Sequence, residues 1–157
     1  MFDQFNGMPV HVLLVHAAVV FVPLLALLAV VYALVPKLRG RVGWAAALLA
    51  AGAPLAALFA KLSGEEFRER LIANGMNAQG LAPITTHQGY GDLTFWFTLG
   101  LGVATGLMIF LASRPKSLPR PLDLGLSVVV VALAAVAGYY VFKTGDTGAT
   151  AVWGTNS

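Results

Sequence analysis

The chain has 157 residues, of which 58% are hydrophobic and 11% charged, with no cysteine and a formal net charge of +3; an ordinary soluble domain carries roughly 25% charged residues. That balance, with a mean hydropathy of +0.78, excludes a water-soluble fold of this size. The missing cysteines exclude thiolate iron–sulfur clusters, thioether-attached haem, disulfides and a cysteine nucleophile.

Four apolar runs follow one another. The first, Val10 to Val35, holds two histidines but no Asp, Glu, Lys or Arg, and lies between Pro9 and Pro36. Roughly 20 apolar residues at about 1.5 Å each cross a hydrocarbon core of about 30 Å, so this run is long enough to span with tilt. No basic stretch precedes it and its length exceeds that of a signal peptide, so it is expected to be a helix of the mature protein. Pro9 suits a first helical turn, and Pro23 is expected to kink the middle.

The second run, Val42 to Ala60, is alanine-rich around Pro54. The segment after it begins SGEEFRERL, which reads as a short amphipathic helix, with Gly75, Gly80 and Pro83 breaking it and Thr85 or Thr86 capping the next helix. The third run, Leu93 to Ala112, carries Gly102 and Gly106 in a GxxxG pair; the fourth, Leu124 to Phe142, carries Ala134 and Gly138 in a similar small-residue pair. An apolar strand alone in lipid would leave backbone groups unpaired, so the runs are helices. The expected fold is all-α: an integral membrane four-helix bundle forming one domain over 1–157, with helices near 10–35, 42–60, 87–112 and 122–145 and an outer loop over 61–86. No internal repeat is evident.

Charge sets the expected orientation. Lys37, Arg39 and Arg41 stand in one hairpin and Arg114, Lys116 and Arg120 in the other, without acids, while Asp3, Glu65, Glu66, Glu69, Asp92 and Asp146 lie toward the opposite ends of the runs. Basic hairpins of this kind mark the cytoplasmic side, which places both termini and the loop on the non-cytoplasmic side. Their placement, and not nucleic-acid binding, accounts for the pI near 9.5. The lipid bilayer is the expected partner, and the small-residue pairs admit a homo-oligomer.

The histidines carry the functional signal, because all three fall toward one membrane face. His11 and His16 open the first run, five residues apart, a separation of about 7.5 Å along a helix and roughly 140° around it. His87 opens the third helix, Asp92 lies five residues deeper, and Asp146 follows the fourth run. If the first, third and fourth helices adjoin, His11, His87 and Asp146 form an outer polar layer, with His16 and Asp92 beneath it. Ionisable groups inside membrane helices are costly and usually functional or paired. A helix N-terminus favours a neutral His87 ring, suited to metal binding. Hydrolase chemistry is not indicated, since Ser63, Ser113 and Ser127 lack histidine and acid partners at their depths.

These residues resemble a known bacterial family, the membrane proteins catalogued as domain of unknown function 2231. GMPVHVLLVH resembles the family's Gly-x-Pro-x-His-x-x-x-x-His opening at His11 and His16, and SGEEFRE its SGE stretch, with Glu65 in the acidic position. HQGYGD is similar to its His-x-x-x-Gly-acid element at His87, Gly91 and Asp92, and TGDTGATAVWG to its closing segment, where Asp146 replaces a family histidine. The family's architecture resembles small four-helix haem-b membrane cytochromes. That resemblance implies one b-type haem, with His16 or His11 paired with His87, and an electron-transfer protein of the bacterial cytoplasmic membrane that is not an enzyme and meets a redox or complex partner at its outer face.

Two other readings stand beside it. Three imidazoles of His11, His16 and His87 with the Asp146 carboxylate would complete a zinc, copper or iron site, with Asp92 and Glu65 behind the ligands and Met8 or Met76 as a soft donor. Alternatively, the chain is an accessory subunit without a cofactor, whose histidines only make structural hydrogen bonds.

Overall fold

The computed structural model describes residues 10–114 and 118–154. It contains α1 (Val10–Leu34), a 3-10 turn (Pro36–Leu38), α2 (Arg39–Ala73), α3 (Ala78–Ala112) and α4 (Arg120–Trp153), and no strand among the described residues. All four helices are long and apolar enough to cross a membrane. Pro9, Met8, Asp3 and Lys116 lie outside the described residues.

The helices run up and down in a ring. Each packs against the next in sequence, α4 closes back onto α1, and α1 and α3 face each other across the diagonal with slight contact. The α1–α2 and α3–α4 connections lie at one end of the bundle; the α2–α3 connection, the start of α1 and the end of α4 lie at the other. Val22, Leu25 and Ala29 of α1 meet Ala53 of α2, Leu101, Ala104 and Met108 of α3, and Val130, Ala134 and Ala137 of α4 in the core. Their spacing of three and four residues puts them on one face of each helix. The other faces expose Leu27, Trp44, Leu48, Val103, Leu124 and Phe142, a surface suited to lipid tails and not to water.

Small residues bring α2 and α3 together at one point. A Cβ on Gly102 would lie 2.4 Å from the Ala50 carbonyl oxygen and 2.9 Å from Pro54 Cγ. Gly106 and Gly138 have open space where a Cβ would sit, so of the two expected packing pairs only Gly102 makes a close approach, while Ala134 is buried in the core. At the basic end, Arg39 donates to the Tyr32 and Ala33 carbonyls at the close of α1 and pairs with Asp123 of α4 at 2.9 Å. One guanidinium thus ties three helices and satisfies carbonyls that a helix end leaves without partners.

The expected outer loop over 61–86 is helical except for residues 74–77. SGEEFRERL continues α2, supported by Lys61–Glu65 and Glu66–Arg70 pairs one turn apart. The helix stops only at Gly75, whose φ of +84° suits glycine. Gly75 N–H donates to Ile72 O and Met76 N–H to Leu71 O, the paired closing bonds of a left-handed helix terminus. Asn77 then caps α3, its side chain accepting from Gly80 N–H at 3.0 Å. The Thr85 and Thr86 hydroxyls instead donate to carbonyls four residues back, and α3 runs on through Gly80 and Pro83 as α1 does through Pro23. At 35 residues each, α2 and α3 are about 52 Å long, against about 30 Å for the hydrocarbon core. Both therefore project past the bilayer at the end that carries the histidines.

Candidate functional site

His11 and His87 stand on the diagonal helices α1 and α3, and each is braced by the helix that follows it. His11 Nδ1 lies 2.9 Å from Ser63 Oγ on α2. The Ser63 hydroxyl donates to the Ala60 carbonyl at 2.9 Å, so its oxygen accepts and His11 Nδ1 carries the proton. His87 Nδ1 lies 2.9 Å from the Thr144 carbonyl on α4, with Thr147 Oγ1 at 3.3 Å. A carbonyl can only accept, so His87 Nδ1 is protonated too. In the neutral rings both Nε2 atoms then keep their lone pairs, the form in which imidazole binds metal.

Glycines make room for the two rings. A Cβ on Gly64 would lie 3.0 Å from His11 Cε1, and one on Gly148 would lie 2.9 Å from His87 Cε1. The two arms match residue for residue: Ala60 O, Ser63 and Gly64 on α2 correspond to Thr144 O, Thr147 and Gly148 on α4, with the same spacing. The bundle therefore has an internal two-fold relation between α1–α2 and α3–α4, visible in the packing and not in the overall sequence. Phe67, one turn beyond Ser63, stacks near-parallel to His11 at 6.2 Å between centroids.

The two imidazoles sense each other. His11 precedes the Leu13–Leu34 span. Burial lowers its pKa below the ordinary histidine value, and charge on His87 lowers it further, against the raising effect of a hydrogen bond it donates to the Ala60 carbonyl. Both rings are half-buried.

The remaining expected site residues lie elsewhere. His16 is exposed on α1, turned away from His11 by the roughly 140° that five helical residues impose. Asp92 does not form an inner layer with it; Asp92 accepts from Lys61 Nζ at 2.7 Å, and the same ammonium reaches Glu65 at 2.6 Å. Asp146 is exposed, 3.8 Å from Lys143 within its own helix. It stands at the end of an outward-facing apolar groove of about 440 Å³ lined by Val19, Pro23 and Phe142 among others. Among the described residues no three His, Asp or Glu side chains converge on a common point, so His11, His16, His87 and Asp146 do not assemble the four-ligand shell. Exposed Met76 packs against Gly80, in the α2–α3 turn.

Sequence reasoning missed Gly64, Thr144, Thr147 and Gly148, and it expected no histidine beside Ser63, where the structure puts His11 at 2.9 Å. The available signal was a hydroxyl residue followed by glycine near the outer end of each helix that follows a histidine-bearing one: Ser63-Gly64 on α2, and Thr144-Gly145 and Thr147-Gly148 on α4.

No curated protein matches the chain, and no solved structure does. The family model described as predicted membrane protein DUF2231 matches residues 7–156, a stretch that includes both imidazoles and every group that braces them, and the chain belongs to that family.

Proposed function

We propose that this membrane protein is an electron-transfer protein in which His11 and His87 would hold one b-type haem near the outer end of the bundle. One observation carries the reading: two imidazoles on diagonal helices, each with its proton fixed on Nδ1 by a neighbouring helix, and no third ligand beside them among the described residues. A lone zinc or copper ion needs three or four protein donors. Haem brings four equatorial nitrogens of its own and asks the protein for two.

The group would supply reversible one-electron chemistry; the protein's part is to hold and tune it. Ser63, Ala60 and Thr144 orient the rings and strengthen their basicity through the Nδ1–H bonds. Gly64 and Gly148 leave space where side chains would push the rings aside. Phe67 covers one flank of His11. The chain acts as a relay and not as an enzyme; the basic hairpins support a histidine end on the non-cytoplasmic side, and in a bacterial inner membrane a redox partner would meet it there.

The test is a reduced-minus-oxidised visible spectrum of the protein purified in neutral detergent after expression with haem supply. A sharp alpha band is expected from the wild type and from His16→Ala, and its loss from His11→Ala and from His87→Ala. A wild type that neither carries nor takes up haem, or full occupancy in both ligand variants, would end the proposal.

A further inference from the structure

We infer that Arg68 is a carboxylate clamp for the ligand held between His11 and His87, gripping a propionate of the haem; the inference rests on the functional reading above. Arg68 lies on α2 four residues beyond Gly64, so it occupies the same helix face, one turn nearer the outer end. Side chains on a helix lean toward its N-terminus, which on α2 is the direction of Gly64 and His11. Its Nε is buried and has no hydrogen-bond partner among the described residues. The neighbouring cations differ: Lys61 holds Glu65 and Asp92, and Arg70 holds Glu66.

A buried guanidinium nitrogen without an acceptor is costly, and its planar fork suits a carboxylate. The position equivalent to Arg68 on α4 is Val152, so the two-fold relation that supplies a pair of similar ligand arms supplies only one guanidinium. A haem has two propionates on one edge, and a single clamp at the outer end would point that edge toward the aqueous side.

The experiment compares the affinity of haem b with that of its dimethyl ester, which keeps the iron and ring but lacks the negative charges, by optical titration of the full chain stripped of haem. Wild type is expected to bind haem at least about tenfold more tightly than the ester, the size of one charge-assisted hydrogen bond. Arg68→Gln should reduce that preference to within about twofold while binding the ester as wild type does, and Arg68→Lys should restore part of it. Equal binding of both compounds by wild type, or an undiminished preference in Arg68→Gln, overturns the inference and leaves the two-histidine reading standing. Failure of both compounds to bind removes the haem reading and the clamp with it. A preference present in neutral detergent and abolished by added phosphatidylglycerol would assign Arg68 to lipid phosphate, which also overturns it.

Discussion

Replacing Gly148 by alanine tests whether the His87 seat is as tight as its geometry states. The added methyl would lie 2.9 Å from His87 Cε1 and 3.2 Å from Nδ1, and ordinary contact begins at 3.4 Å, so the ring must retreat by about half an ångström. The ring is held by its 2.9 Å bond to the Thr144 carbonyl, and that retreat takes the bond beyond the usual range of about 2.7–3.2 Å. Losing it costs about 1 kcal/mol, and overpacking of this kind typically costs about 1–3 kcal/mol. Alanine returns up to about 1 kcal/mol through helix propensity, leaving a net loss of about 1–3 kcal/mol. Gly145→Ala is the control, because it is on the same helix with nothing within 4 Å of the new methyl. Unfolding of both variants in mixed detergent titrations gives the stabilities, and haem titration gives the affinities. Gly148→Ala matching Gly145→Ala within about 0.5 kcal/mol, with equal haem affinity, would refute the packed seat.

Gly102→Ala should destabilise the bundle by more than about 2 kcal/mol, because its methyl meets the Ala50 backbone oxygen at 2.4 Å and backbone cannot swing aside; Gly106→Ala, with open space, should be neutral or slightly stabilising in the same detergent titration. Ser63→Ala removes the acceptor of the His11 proton and should weaken haem binding about fivefold to tenfold, measured by optical titration, with the His87 arm unaffected. The haem-free protein should lose stability as pH falls below about 6.5. The unfolded His11 ring takes a proton near that value, whereas the folded ring, its pKa lowered chiefly by burial and then by His87, takes one only at lower pH. The unfolded state therefore binds more protons across that window, and stability rises with pH through it; detergent unfolding between pH 5 and pH 8 in His11→Gln should lack this component. Nitrogen-15 spectra of histidine-labelled, haem-free protein should show protonated Nδ1 and unprotonated Nε2 for both His11 and His87; an Nε2–H signal from either would contradict the bracing described for it.

The spans were legible because apolar length is a global property that tertiary packing cannot reverse. The tract between Lys61 and Thr86 was not, because glycine and proline each argue for a break, and only the paired closing bonds around Gly75 distinguish a true stop from residues a long helix absorbs. Pro83 lies in the second turn of α3, past the N–H groups that a helix start leaves unpaired, so it forfeits one backbone bond that a 35-residue helix absorbs. The site was legible in part. The depth of His11 and His87 follows from counting residues along a helix, but their opposition across the diagonal depends on the ring order of four helices. His16 shows the limit of depth as a criterion: its azimuth, fixed by the five-residue separation, sends it outward. The bracing residues were hidden because serine, threonine and glycine near helix ends are ordinary cap and packing residues, and their meaning comes only from the histidine opposite.

The doubled architecture has a consequence for how the protein can be divided. Each half, one helix with its histidine and the next with its hydroxyl and glycine, is a finished arm, and the seam between halves runs through the four-residue turn at 74–77. Separate polypeptides ending and beginning at that turn would each carry a self-braced imidazole, and their reunion in the bilayer would rebuild the pair without a covalent link between them.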